Sequence, residues 1–414
     1  MATKIWRGGA AKVAQVTTIT YSAYTSGQTY TLTINGKDVS YTATASSLAN
    51  VIDGLVAAIQ VAAATEPEYA EFTATNDTGL VLTATTQGVP FTIASTATGG
   101  ITATVTATTA ATGPNFFDNA DNWVGNVAPS AGDDIVLQDS AVSILYALED
   151  TGTNYGDIAI KGSYTGSVGL PSENPAGYRE YRPRFLKLGD GTGSFSLTVG
   201  QGTGGQSNRI LVDANAGTVL CVVYGTGQQA SGSERPFVLK NTDASSTLDV
   251  YSGLVTIDAD TSGAMSAVRL TPSGTNTGAN ASVLIGTGVS AGAITQHGGT
   301  IEVRGAATSI FATGGTAKFS NAATCPTVKV GSGASINWES TSGITTKLFV
   351  YSQGTIEFGG NASTKAVAAC EVYSTGAIRD PVAIVTWTAG IQIMGCKLSD
   401  IQLDIGLSRT ITPS

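Results

Sequence analysis

The sequence predicts a mainly β protein: a small N-terminal α+β domain followed by a right-handed parallel β-helix, a solenoid. Three observations carry this prediction. From residue 189 to about 400 the chain repeats a glycine followed by alternating residues, at intervals near 20. Helical periodicity is confined to one stretch near residue 50. Charged residues make up only 12% of 414, about half the usual share, and glycine accounts for 51 positions.

Residues 1–14 form a short arm containing Trp6 and Arg7-Gly-Gly. It reads as neither core nor linker, and one Trp on an arm suggests docking onto another subunit.

Residues 15–112 read as one α+β domain. Thr29–Ile34 alternates polar and apolar residues, Asn35-Gly36 is a strong hairpin signal, and Asp38–Ala43 returns as the second strand. Ser46 or Ser47 can cap a helix whose Leu48, Val51, Ile52, Leu55, Val56 and Ile59 share one face. Glu71–Thr75 and Leu80–Ala84 form another hairpin around Asn76–Gly79, and Pro90–Ala94 and Ile101–Thr106 add two strands. The helix is expected to cover one face of a single sheet. Thr112-Gly-Pro114 marks the boundary.

Residues 113–188 are expected to open the β-helix and to carry an insertion. Within it, Tyr178–Lys187 gathers four basic and three aromatic residues into ten positions. Tyr and Arg commonly anchor interfaces, so Tyr178, Arg179, Tyr181, Arg182 and Arg184 join Trp6 and Arg7 as expected interface residues. The bland alternative is an ordered insertion whose arginines pair with the chain's own acids. A polyanion site is the third reading.

Residues 189–414 hold the repeat and a C-terminal tail. Its units begin at Gly253, Gly299, Gly315, Gly333, Gly354 and Gly376, the last four intervals being 16, 18, 21 and 22. A strand such as Leu248–Ser252, Thr327–Val330, Leu348–Ser352 or Cys370–Ser374 precedes many of them. In a β-helix, apolar residues of such units face the bore, Thr and Ser face solvent, and glycine supplies positive φ at the corner. Ten or so coils make a rod about 50 Å long. A jelly roll or tandem sandwich is the rival, but its Asn-Gly type hairpins are scarce here.

The N-terminal pattern of Trp6-Arg-Gly, Val13–Thr17, the Tyr30–Lys37 hairpin with its amphipathic helix, and Gly88–Thr92 resembles modules of tailed-phage and prophage structural proteins. The segment Asn122-Trp123, Pro129, Gly132-Asp-Asp134 is similar to the opening segments of bacterial and phage β-helix proteins, where the Trp seals the first coil. This resemblance implies a virion component on the particle surface: a head decoration, a fibre or a tail spike, with major capsid or tail proteins as partners and a homotrimeric state.

Phage spikes of this kind are often glycosidases or lyases, so carboxylate pairs matter. Glu302 and Glu357 hold equivalent places after their corners, with Asp380 near that register, but Lys318 and Asn337 occupy the intervening coils. Three strand spacings are about 14–15 Å, too far for paired acid and nucleophile. Glu339 and Glu371 have no obvious partner, and most aromatics fit inward or corner positions. His297 is the only histidine and reads as a turn residue. Gly189–Ser194 and Gly200–Gly205 lack the lysine and following helix of a phosphate loop. Asp-rich calcium repeats are absent, which leaves a single ion at Asp258–Asp260 or Asp133–Asp134 open. Cys221, Cys325, Cys370 and Cys396 show no CxxC spacing and read as small buried hydrophobes, with a Cys370–Cys396 disulfide as the alternative.

Charge and hydropathy exclude further classes. The net charge of −9 disfavours nucleic acid. No apolar run is long enough to span a membrane, and the N-terminus lacks a secretory signal pattern. The expectation is a non-enzymatic virion structural protein without cofactor or metal, attached by its N-terminal region and displaying the β-helix. A spike that binds or cuts host surface glycan is the alternative, and a bacterial surface or filament protein is a further one.

Overall fold

The structure is a computed structural model that describes residues 2–149, 153–188, 192–228, 234–259, 262–272, 281–360 and 362–405. Gly189–Gly191, Asp260 and the C-terminal tail from residue 406 lie outside the described residues.

The protein is mainly β, with a single α-helix among the described residues. The chain does not begin with a free arm. Strand β1 (Thr3–Ile5) pairs in parallel with β9 (Asp134–Leu137), which follows it by more than a hundred residues. The α+β domain is therefore inserted between two neighbouring strands of the larger β body. An antiparallel bridge between Val13 and Thr112 closes the neck where the chain leaves and returns.

The inserted domain contains β2 (Val16–Tyr21), β3 (Thr29–Ile34), β4 (Lys37–Thr42), α1 (Leu48–Ala63), β5 (Phe72–Asn76), β6 (Leu80–Ala84), β7 (Ile93–Ala97) and β8 (Ala103–Thr109). Asn35 and Gly36 both adopt positive φ, the conformation a tight two-residue hairpin needs. Ser47 caps α1 by accepting from the Asn50 amide, and Val51, Ile52, Leu55 and Ile59 are buried. The expected single sheet is instead two, ordered β5-β6-β2-β8 and β4-β3-β7. Alternating residues of β2, β3 and β6 (Ile19, Tyr30, Leu32, Leu80, Leu82) and the helix face converge on one core. Seven strands with one apolar face each bury more surface in two layers than one helix can cover.

The body is a large parallel sheet. From β9 onward, most strands pair in parallel with the strand two further along the chain, which produces two ladders. One runs through 158–161, 194–201, 218–223, 247–250 and 263–270 to 391–394. The other runs from 186–187 through 210–213, 237–240 and 254–258 to 402–404. The long strands Val289–Val303 and Ala306–Phe319 pass through both.

Register explains the core. Cys221, Leu248, Val268, Ile294, Ile310, Val328, Leu348, Cys370 and Ile391 stand opposite one another in successive strands, and all are buried. Val255, Val283, Ile301, Ala317, Ile336, Ile356 and Ile378 do the same on the second ladder. A period of two places each set on one face, and both sets join one continuous core.

The glycines of the repeat do not all take the positive φ expected of them. Gly253, Gly299, Gly315 and Gly333 have positive φ, but Gly354 and Gly376 do not. Gln353 and Thr375, the residues before them, take the left-handed conformation. Gly354 is required by close approach: a Cβ there would lie 2.4 Å from the Val330 carbonyl oxygen.

Candidate functional site

The basic-aromatic insertion folds back onto the inserted domain and forms a polar junction. Glu71, immediately before β5, accepts hydrogen bonds from the Tyr178 and Tyr181 hydroxyls and from Arg182 Nη2 at 3.3 Å. Arg182 also donates through Nε to Glu180 Oε1 at 2.7 Å and through Nη1 to the Pro90 carbonyl at 3.1 Å. Its guanidinium lies 4.6 Å over the Tyr181 ring, and Tyr178 and Tyr181 stack at 5.9 Å. Asn35, in the hairpin turn, donates to Glu71 Oε2 and to the Glu68 carbonyl.

The electrostatics follow from burial and pairing. Burial acts to raise the Glu180 carboxyl, but the hydrogen bonds from Arg182 outweigh it and hold the group below its ordinary value. Burial acts to lower Arg182, and its hydrogen bond to Glu180 with the Tyr181 and Glu71 interactions reverses this, so it stays charged. Burial, reinforced by the bond to Glu71, pushes the Tyr178 phenol up. Tyr181 moves the same way, chiefly by burial and against the Arg182 charge.

Several of the residues expected at an interface have their side chains engaged within the chain. Trp6 is 1% exposed, Tyr178 5% and Arg182 7%, so their side chains are committed within the chain. Trp6 packs against Trp123 and donates from Nε1 to the Val142 carbonyl. Tyr181 is half-buried in the junction. Arg184 pairs with Glu234. Arg7 is exposed, bonded to the Asp121 carbonyl and Asn126. Arg179 is exposed. The bland reading of the insertion, arginines pairing with the chain's own acids, describes Arg182 and Arg184. In the sequence Asn35 reads as a hairpin residue and Glu71 as a strand residue, and neither reads as a partner of the insertion. They lie more than a hundred positions from the insertion, and the one signal was that so dense a basic cluster needs an acid.

Beside the junction lies a cleft of about 860 Å³ between the inserted domain and the body. Pro90, Phe116, Tyr146, Leu148, Tyr155 and Arg182 are among its walls.

The outer face of the second ladder carries the charged row read from the sequence. Glu302, Lys318, Asn337 and Glu357 stand opposite one another in successive strands, and Arg379 rather than Asp380 continues the row. Asp380 is fully buried and accepts from the Ile384 and Val385 amides. Each carboxylate of the row has a cation: Arg304 on Glu302 at 2.8 Å and Arg379 on Glu357 at 3.8 Å. Burial acts to raise Glu302, but hydrogen bonds from Arg304 and Ser320 hold it low. Glu339 and Glu371 also have partners, Lys318 and Lys347. Glu302 and Glu357 are three strand steps apart, about 14–15 Å. This row presents ion pairs, not a proton donor beside a nucleophile.

The outer face of the first ladder carries aromatics that the sequence reading, with most aromatics at inward or corner positions, did not single out. Phe311, Lys329, Phe349 and Glu371 are in register, and Phe349 sits between the buried Leu348 and Val350. Phe311 is 42% exposed. Tyr351 meets Phe311 at 6.5 Å, Phe349 at 6.0 Å and Tyr373 at 5.0 Å. Lys329 and Lys347 lie over the Phe349 ring. The missed signal is period two: a residue between two inward residues faces out.

The remaining candidates have structural roles. His297 lies within a long strand, not at a turn, and shares a 2.8 Å hydrogen bond with Thr313 Oγ1. All four cysteines are free, and Cys370 and Cys396 are not bonded to each other. Burial pushes the Cys325 thiol up to about 12. Asp133 accepts from the Ala2 amide, Ser130 Oγ and the Ser130 amide, and Asp134 from the Asp157 amide. Asp258 accepts from the Ala259 amide. In the Gly200–Gly205 loop, a Cβ on Gly200 would lie 2.0 Å from the Gly225 carbonyl, so close packing requires glycine there. Among the described residues, no three His, Cys, Asp or Glu side chains group to hold a metal ion.

No family model matches this chain, and no curated protein or solved structure matches it.

Proposed function

We propose that this chain is a non-enzymatic structural protein of a virion, a capsid decoration or head-fibre component whose body is a right-handed parallel β-helix. The observation that carries the reading is the pair of parallel ladders sharing one uninterrupted apolar core. Strand pairing with the strand two further on is what two faces of each coil produce, and crossovers between parallel strands are overwhelmingly right-handed. Backbone pairing along the axis together with a dry core makes a stiff shaft that resists proteolysis. The ion-paired carboxylates on the outer face favour a passive surface. The inserted domain is the attachment module in this reading, clamped to the shaft through Glu71 and Arg182.

A second reading has one observation in its favour. The outward row of Phe311, Phe349, Tyr351 and Tyr373 with lysines beside it suits a glycan whose ring faces stack on aromatic rings. In this reading the chain is a spike or fibre that binds host surface polysaccharide.

Two assays on the same preparation test the proposal. Purified chain is expected to co-sediment with the virus particles of its source, and surface glycan of the host is expected to release no reducing sugar above a no-protein control. Sugar release would overturn the non-enzymatic reading. Failure to associate with particles would overturn the virion assignment.

A further inference from the structure

Strand β8 is an open sheet edge of unusual composition. It pairs with β2 on one side, and among the described residues nothing is hydrogen-bonded to its other side. Thr104 through Thr108 are all exposed, and Val105 is 38% exposed. Natural edge strands are usually blunted by lysine, proline, bulges or a cover. β8 carries no charge and no proline, and its one register irregularity lies at the end, opposite Val16 and Thr17.

The direction of the free groups follows from the ladder. The Ser22 amide donates to the Thr102 carbonyl at 2.9 Å, so Thr102 is a residue whose polar backbone faces β2. Antiparallel pairing alternates, so Thr104 and Thr106 also face β2. The N–H and C=O groups of Ala103, Val105 and Ala107 therefore point away from the sheet.

The sequence at this edge is palindromic. Thr102-Ala-Thr-Val-Thr-Ala-Thr108 reads identically in both directions about Val105. In an antiparallel pair of two such strands centred on Val105, Val105 faces Val105, Thr104 faces Thr106 and Ala103 faces Ala107. The outward groups of Val105 then exchange two hydrogen bonds across a two-fold axis. A self-complementary patch is what a two-fold interface between identical subunits requires.

We propose that the β8 edge pairs with the β8 edge of a second copy of this chain, antiparallel and centred on Val105. The two four-stranded sheets become one eight-stranded sheet, β5-β6-β2-β8 followed by its two-fold mate. The occupant is a second copy because the edge matches itself at every position and carries no charge to select a different partner.

Light scattering after size exclusion tests this through complementary variants. The wild-type chain of 41.8 kDa is expected at twice that mass. Val105→Lys and Val105→Glu each place like charges on the axis, and each is expected at the mass of one chain. An equimolar mixture of the two is expected to return to the doubled mass. Hydrogen exchange of the wild type gives a second readout, with the amides of Ala103, Val105 and Ala107 expected to be protected. A wild-type monomer or trimer, a dimer unaffected by Val105→Lys, or freely exchanging amides at those three positions would overturn the proposal.

Discussion

Trp6 and Trp123 meet edge to face, with ring centroids 5.2 Å apart and planes at 77°, although an entire domain lies between them in the chain. Both are buried, and Trp123 also meets Phe117 at 5.3 Å. This contact, together with an antiparallel bridge between the same two residues, joins the segment before the inserted domain to the segment after it.

Removing either ring is therefore expected to cost more than a surface change. Trp6→Ala should destabilise the body by about 3–5 kcal/mol, the range for a buried aromatic. Trp123→Ala should cost a similar amount, and the double variant less than the sum, because the two share one contact. Urea unfolding monitored by far-UV circular dichroism measures all three. Additive losses would show that the rings act independently.

The Arg182 cluster is expected to hold the inserted domain to the body. Arg182→Ala leaves the buried Glu180 carboxylate without its cation, a loss of about 3–5 kcal/mol. Limited proteolysis at the neck, around Val13 and Thr112, should accelerate in that variant. Arg7→Ala, at an exposed position, should leave stability within about 0.5 kcal/mol. Equal effects of the two substitutions would contradict the assignment.

The same cluster gives the junction a pH window. Glu180 sits below its ordinary value of 4.5 in the folded state, so its contribution is present above that value and is lost as the pH falls below it. The Tyr178 and Tyr181 phenols sit above their ordinary 10.0, so their contribution is present below pH 10 and is lost on further alkalinisation. Melting temperature against pH should fall at both ends. In Tyr178→Phe/Tyr181→Phe the alkaline fall should shrink while the acid fall remains.

One turn residue is expected to be improvable. Gln353 is exposed and left-handed at φ 60°, a conformation costing a non-glycine residue about 1–2 kcal/mol. Glycine avoids that cost but adds freedom to the unfolded chain. Gln353→Gly should therefore gain about 0.5–1 kcal/mol, measured by urea unfolding. A loss of stability would show that the Gln353 side chain is held by its surroundings.

Much of this molecule was legible because its signals are local. The Asn35-Gly36 hairpin, the Ser47 cap and the period-two strands of the repeat each depend on a few adjacent residues. The register of Glu302, Lys318, Asn337 and Glu357 followed from the glycine spacing alone. Relationships across long separations were not legible. Nothing near Trp6 shows that β1 pairs with β9, so the arm read as free. Nothing near Arg182 names Glu71. The split of the inserted domain into two sheets depends on how seven strands share one core, a property of the packed whole.

The central claim, a structural role on a virus particle, is tested most directly by immuno-gold labelling of intact particles with antibody to residues 189–400, viewed by negative-stain electron microscopy. The account predicts gold distributed over the particle shell. Gold on cell surfaces and on no particle would contradict it.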